Sequence, residues 1–180
     1  MHVRLEAKTH RRLTWGILPL MTEQTEALRE LPSHYHRCFG CGDDHPTGLK
    51  LKMRGGGDVI EGSFVVTEHH QGAPGLAHGG VLSAAVDEAM GFILYLLASP
   101  AVTRHLDVDF LKPVPVGSEL MLKGKVNEVD GRKIFTSIEG SVDGEVAIVA
   151  RALFIKVGFE HFKPHIEKSR EEIEGTPYNP

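Results

Sequence analysis

One segment governs the choice of fold. From Val81 to Ala98 the chain runs without proline through residues that favour helix, and its apolar side chains go nearly all the way round the helical circumference. Such a helix must be covered on most sides. Ser83, Asp87 and Gly91, each one turn from the next, form the only narrow polar or small stripe along it. A second acid, Glu88, lies about 100° further round.

The cover is written on both sides of this segment. Leu49 to Arg54 and Val59 to Thr67 read as two strands around Gly55, Gly56 and Gly57. After the helix come four segments of strand character, Thr103 to Val114, Glu119 to Val129, Lys133 to Val142 and Glu145 to Val157. In the first, Leu106, Val108 and Phe110 alternate with His105, Asp107 and Asp109, the period of a half-buried strand. The joints Asp130-Gly131 and Asp143-Gly144 read as two-residue hairpin turns, whose central positions need positive φ, and consecutive hairpins imply an antiparallel meander. The pattern predicts an α+β fold, a curved antiparallel six-stranded sheet wrapped around one long central helix.

The 180 residues, 41% hydrophobic and 24% charged, suit one globular domain with tails. The expected division is an N-terminal extension over 1–32 with a short helix from Thr25 to Leu31 ended by Pro32, the folded domain over 33–157, and a polar tail over 158–180 with a helical turn near Ile166 to Ile173. A net charge of -4 supplies no field for nucleic acid or anionic lipid. The longest apolar run carries Asp87 and Glu88, so no membrane span is expected. Basic residues before Leu13 to Met21 imitate a signal sequence but lack its cleavage pattern, and Met21 is an alternative start. Cys38 and Cys41, the only cysteines, are too close together to staple the fold, which favours a cytoplasmic setting.

His78-Gly79-Gly80, just before the helix, reads as a carbonyl-activating device. A helix start offers unpaired N–H groups and partial positive charge, and glycine lets a substrate approach the backbone. His78 suits capping or loop support. Asp87 is the candidate base or nucleophile, yet it lies eight residues beyond Gly79, ~12 Å along the helix axis. One substrate carbonyl cannot touch both. A two-fold dimer with antiparallel helices brings each acid to the other subunit's helix start, and dimers of such dimers are compatible with it.

These residues resemble a known group. Gln71 to Gly80 (Gln-Gly-Ala-Pro-Gly-Leu-Ala-His-Gly-Gly), with Asp87 nine residues after the histidine, is similar to the hotdog-fold acyl-CoA thioesterases of the PaaI-like, phenylacetate-pathway type. So are Cys38-Phe39-Gly40-Cys41-Gly42 with Gly48-Leu49, Thr103 sixteen residues after Asp87, and Phe110-Leu111-Lys112-Pro113-Val114-Pro115-Val116-Gly117. The resemblance covers about residues 36 to 157 and implies a hotdog fold, an acyl-CoA substrate, and no cofactor. It implies that the Gly79 N–H meets the thioester carbonyl, that Asp87 acts as nucleophile or general base, and that Thr103 places water. Where some relatives carry asparagine this chain has Gly72, which bears on the neighbouring Gln71. Gln71 and Ser83 are substrate-side candidates.

Coenzyme A phosphates need cations; Arg104, Lys112, Arg132, Lys133 and Arg151 are available, with Lys112 and Arg151 preferred. Cys38, Cys41, His34, His36 and His45 invite a zinc reading, because Cys-x-x-Cys is half of a metal knuckle. No second cysteine pair or spaced histidine pair follows. The expectation is therefore no metal, with an ordered glycine turn forming a lid over the acyl pocket. Two other functions stay open: an enoyl-CoA hydratase on the same fold, which needs a histidine beside the acid on its helix, and a non-catalytic acyl-CoA-binding module.

Overall fold

A computed structural model describes residues 27–164. The apolar stretch Leu13 to Met21 and the turn expected near Ile166 to Ile173 lie outside the described residues. The elements are β1 (Arg29–Glu30), β2 (Lys52–Gly56), β3 (Val59–Val65), α1 (Gly79–Gly91), α2 (Ile93–Leu96), β4 (Ala101–Phe110), β5 (Glu119–Asp130), β6 (Lys133–Val142) and β7 (Glu145–Lys156). They form a hotdog: one antiparallel sheet of seven strands, in the order β1-β2-β3-β5-β6-β7-β4, curled about the central helix.

The seventh strand corrects the expected six. Arg29 and Glu30, placed by sequence in a helix, pair instead with Gly55 and Arg54, and the Leu31 N–H adds a bond to the Met53 carbonyl at 2.9 Å. Helix propensity over so few residues is small, and the open edge of β2 outbids it. The meander holds only for β5, β6 and β7; β4 crosses to the far side of β7 and becomes an edge strand. It ends at Phe110, ahead of the Pro113 that cannot donate to a ladder.

The turn chemistry is half as expected. Val142 pairs with Glu145 across Asp143 (φ 50°) and Gly144 (φ 82°), the doubly positive turn that matches strand twist. At the other joint Asp130 pairs with Lys133, so the central residues are Gly131 and Arg132, one position later than the sequence reading. Gly131 alone takes positive φ, at 54°.

Helix α1 buries Leu82, Ala85, Val86, Ala89 and Met90 against the concave face of the sheet. Facing them are Ile60, Leu120, Leu122, Ile134, Ile138 and Ile148, all buried. Each such aliphatic side chain contributes ~1.5–3 kcal/mol on leaving water, so truncating Ile138 to alanine costs about 2–5 kcal/mol. Even the buried hydroxyl of Thr136 is satisfied, donating to the Met90 sulfur at 3.1 Å. The expected single helix to Ala98 breaks at Phe92, a buried residue that closes α1 and opens α2. The stretch Gly79–Leu96 is long and apolar enough to cross a membrane. Its burial against the sheet, and the two acids at its middle, identify it as the core helix of the hotdog.

Candidate active site

The site begins with how α1 starts. His78 is its N-cap, in extended backbone at φ -71° and ψ 134°, and its Nδ1 accepts the Gly80 N–H at 2.9 Å. The His78 carbonyl takes the N–H groups of Val81 and Leu82 at 2.9 and 3.1 Å. With the His78 N–H given to the His70 carbonyl, three of the four N–H groups that a helix start leaves orphaned, those of His78, Gly80 and Val81, are consumed. The fourth, on Gly79, has no acceptor among the described residues. The structure therefore separates the glycine pair: Gly79 keeps a donor for a ligand, whereas Gly80 spends its own on the cap.

The preceding loop holds this start in place. The His78 N–H donates to the His70 carbonyl at 2.8 Å, and the Ala77 N–H to the Val114 carbonyl at 2.9 Å. His70 is buried at 3% exposure, and that burial holds its imidazole below its usual range. Gly72 sits against His78: a Cβ added there would lie 2.8 Å from the His78 Cα. The position thus requires glycine, which gives the departure from the family pattern a steric reason. Gln71 turns inward on its own loop, its Oε1 accepting the Gly75 N–H at 2.7 Å. Ser83 donates back to the Gly79 carbonyl at 3.0 Å. Both candidates shape the helix entrance by bonding to backbone groups of this chain.

The acid lies two turns on. Asp87 is half-buried, and the Thr103 hydroxyl donates to its Oδ1 at 2.9 Å, joining two residues sixteen apart in sequence. Thr103 stands at an irregularity of β4, because Thr103 pairs with Phe154 and His105 with Leu153, leaving Arg104 as the extra residue. Such bulges re-aim side chains and are common beside active sites. Burial raises the Asp87 carboxyl above the usual range; the Thr103 hydrogen bond pulls the other way, and the Glu88 charge adds to the rise. Glu88 has a different environment. His34 Nδ1 lies 2.7 Å from its Oε1, and the Cys38 thiol donates to the same oxygen at 3.4 Å.

Around the helix start the apolar groups are exposed. The Phe110 ring stands over Gly79, 3.5 Å from where a Cβ would be, and is 52% exposed; Leu111 beside it is 56% exposed. Of the candidate phosphate ligands, Lys112 is paired with Glu145 at 2.8 Å, and Arg132 Nε donates to the Lys156 carbonyl at 3.1 Å. Arg151 is exposed at mid-strand, opposite Asp107 of β4 and Ser137 of β6. Arg104, exposed in the bulge next to Thr103, is the cation nearest in sequence to the acid's partner. A cavity of about 450 Å³ between the loop 46–50 and β3 includes none of Asp87, Thr103, His78 or Gly79 in its lining.

Comparison with known proteins agrees with this architecture. Residues 74–148 match the thioesterase superfamily. A thioesterase superfamily protein of known crystal structure superposes with a TM-score of 0.63 at 29% identity, over 67% of this chain and 60% of that one. The matched segment, 75 of the 180 residues, is similar to the domain of that superfamily, and the chain has its fold. Its fold is of the PaaI-like kind: the E. coli PaaI protein superposes with a TM-score of 0.57 at 20% identity, over 61% of this chain and 81% of that one. Among curated relatives, an acyl-coenzyme A thioesterase THEM4 of Xenopus laevis is 36% identical over 89 residues, 48% of this chain. That match spans only 40% of the relative's length.

Proposed function

We propose that the chain hydrolyses acyl-CoA thioesters as a homodimer, each site combining Gly79 of one protomer with Asp87 of the partner subunit. The observation that carries this reading is the pair of groups left on one helix: an uncommitted Gly79 N–H at its start and a Thr103-held carboxylate two turns later. They are ~12 Å apart along the axis and serve one carbonyl only if two helices lie side by side. The face between them suits that contact. Gly80 is exposed, Ser83, Ala84 and Asp87 are partly so, and their small side chains let a second helix approach. Strand β4 also presents an unpaired edge of ten residues, a template for pairing with another copy.

In the reaction the thioester carbonyl accepts the Gly79 N–H, and the helix start favours the negative charge that develops there. Asp87 Oδ2, which has no partner among the described residues, takes a proton from water as that water attacks the carbonyl carbon. The tetrahedral oxyanion collapses, the carbon–sulfur bond breaks, and the proton passes to the departing CoA sulfur. The alternative use of the same carboxylate, direct attack to form an acyl anhydride that water then opens, needs the same geometry. A hydratase is disfavoured because no histidine accompanies Asp87 on α1. The acyl-coenzyme A thioesterase similar to this chain supports the choice of substrate class. Two free thiols suit a cytoplasmic setting.

The test is thiol release from a panel of short, medium, long and aryl acyl-CoA esters. Asp87→Asn should lower kcat by about 10²–10⁴, the range of a positioned acid–base group, while Glu139→Gln on exposed β6 leaves it unchanged. Full turnover by Asp87→Asn, or loss of enoyl absorbance without thiol release by the native chain, would remove the reading.

A further inference from the structure

Before β2 the chain folds a loop against the side of α1 turned away from the proposed chemistry. There the structure completes a ligand set that local sequence spacing does not show. His34 Nδ1, Cys38 Sγ, Cys41 Sγ and a Glu88 carboxylate oxygen all lie within 4.8 Å of one another. We propose that His34, Cys38, Cys41 and Glu88 form a tetrahedral zinc site that fastens this loop to the central helix.

The distances are close to the edges of a zinc tetrahedron. With Zn–S about 2.3 Å and Zn–N or Zn–O about 2.0–2.1 Å, ligand atoms stand roughly 3.3–3.8 Å apart. Cys38 Sγ to Glu88 Oε1 is 3.4 Å and Cys41 Sγ to His34 Nδ1 is 3.6 Å. The His34–Glu88 contact, at 2.7 Å, must open by ~0.6 Å on the same geometry. Cys41 is fully buried and the other three ligands are partly so.

The loop has the backbone of a metal knuckle. The Gly42 N–H donates to the Cys38 carbonyl at 2.9 Å, and the His34 N–H donates to the Cys41 sulfur at 3.1 Å, the kind of outer contact that steadies a thiolate ligand. Two glycines are sterically required. A Cβ on Gly40 would fall 2.3 Å from the Glu88 Cγ, and one on Gly42 would fall 2.4 Å from the His36 carbonyl oxygen. The His34 ring is oriented by stacking on Tyr95 of α2, with centroids 5.2 Å apart and planes at 13°. Two thiolates select zinc over magnesium or calcium, and four protein ligands leave no open position, so the site is structural. Because Glu88 adjoins Asp87, the metal fixes the rotation of α1 where the acid projects. The proposal stands whether or not the chain is a thioesterase, since it depends on the ligand set alone.

The experiment is metal analysis of the full chain purified under reducing conditions, with cobalt(II) reconstitution beside it. About one zinc per chain is expected, lost in Cys38→Ser and Cys41→Ser and retained in His45→Ala, which alters a loop histidine outside the set. Where a cysteine variant fails to fold, the native chain loaded with cobalt decides: thiolate-to-cobalt charge transfer with tetrahedral ligand-field bands supports the site. Zinc below ~0.1 per chain after exposure to excess zinc, an octahedral cobalt spectrum, a Cys38–Cys41 disulfide in place of metal, or undiminished zinc in Cys41→Ser would each overturn it.

Discussion

Replacing Gly79 with proline deletes one N–H from the proposed site and nearly nothing else. Gly79 is the first residue of α1, the position where proline is best tolerated in a helix, because its missing donor is an orphan there anyway. Proline also restricts the residue before it to extended backbone, and His78 already has φ -71° and ψ 134°. A Cβ at Gly79 meets Phe110 at 3.5 Å, an ordinary contact. The fold should therefore survive with its thermal midpoint little changed. Catalysis should not: removal of one oxyanion donor costs about 10²–10³ in kcat, or ~2.7–4 kcal/mol. The assay is thiol release at saturating acyl-CoA, with circular dichroism to confirm the fold. Gly79→Ala is the necessary comparison, since it adds the same Cβ but retains the N–H, and its loss should be far smaller. Equal activity in the proline and alanine variants would refute the role of this N–H.

Two further outcomes follow from the geometry. Burial raises the Asp87 carboxyl and the Thr103 hydroxyl lowers it; the ionised form is the base, so activity falls as pH drops through its titration. Thr103→Val removes the lowering contact and should move this acid limb to higher pH, and an unmoved limb in a kcat–pH profile would count against Asp87 as the titrating base. Gly144→Val places a β-branched residue at φ 82° in the β6–β7 turn and should cost about 1–3 kcal/mol by denaturant unfolding without changing kcat. A neutral effect on stability would show that the turn tolerates the strain.

What the sequence revealed and what it hid divide along the range of the contacts. The apolar helix as far as Gly91, the strand alternation at Leu106 and Val108 and the Asp143-Gly144 turn are local signals, and each is present where read. Thr103 was legible only through the family resemblance, because the bulge at Arg104 that turns it toward Asp87 leaves no mark in composition. Strand β1 was missed because two residues carry no periodicity, and the open edge of β2 decides their conformation. The cluster at Glu88 was missed for the same kind of reason. A scan for metal knuckles looks for a second pair nearby, whereas here the fold supplies a single histidine before the cysteines and a glutamate fifty residues after Cys38. Glu88 looked like a rival to Asp87 because spacing alone cannot distinguish an acid that faces a loop from one that faces a second subunit.

Whether each site draws on two protomers can be measured by mixing the defects. Asp87→Asn and Gly79→Pro chains, co-expressed with different tags, form about half heterodimers, and in each heterodimer one of the two sites has both native groups. The account predicts roughly a quarter of native activity in the mixture, carried wholly by the doubly tagged species, although each variant alone is nearly inactive. No recovery in purified heterodimers would mean that Gly79 and Asp87 act within one chain or not at all.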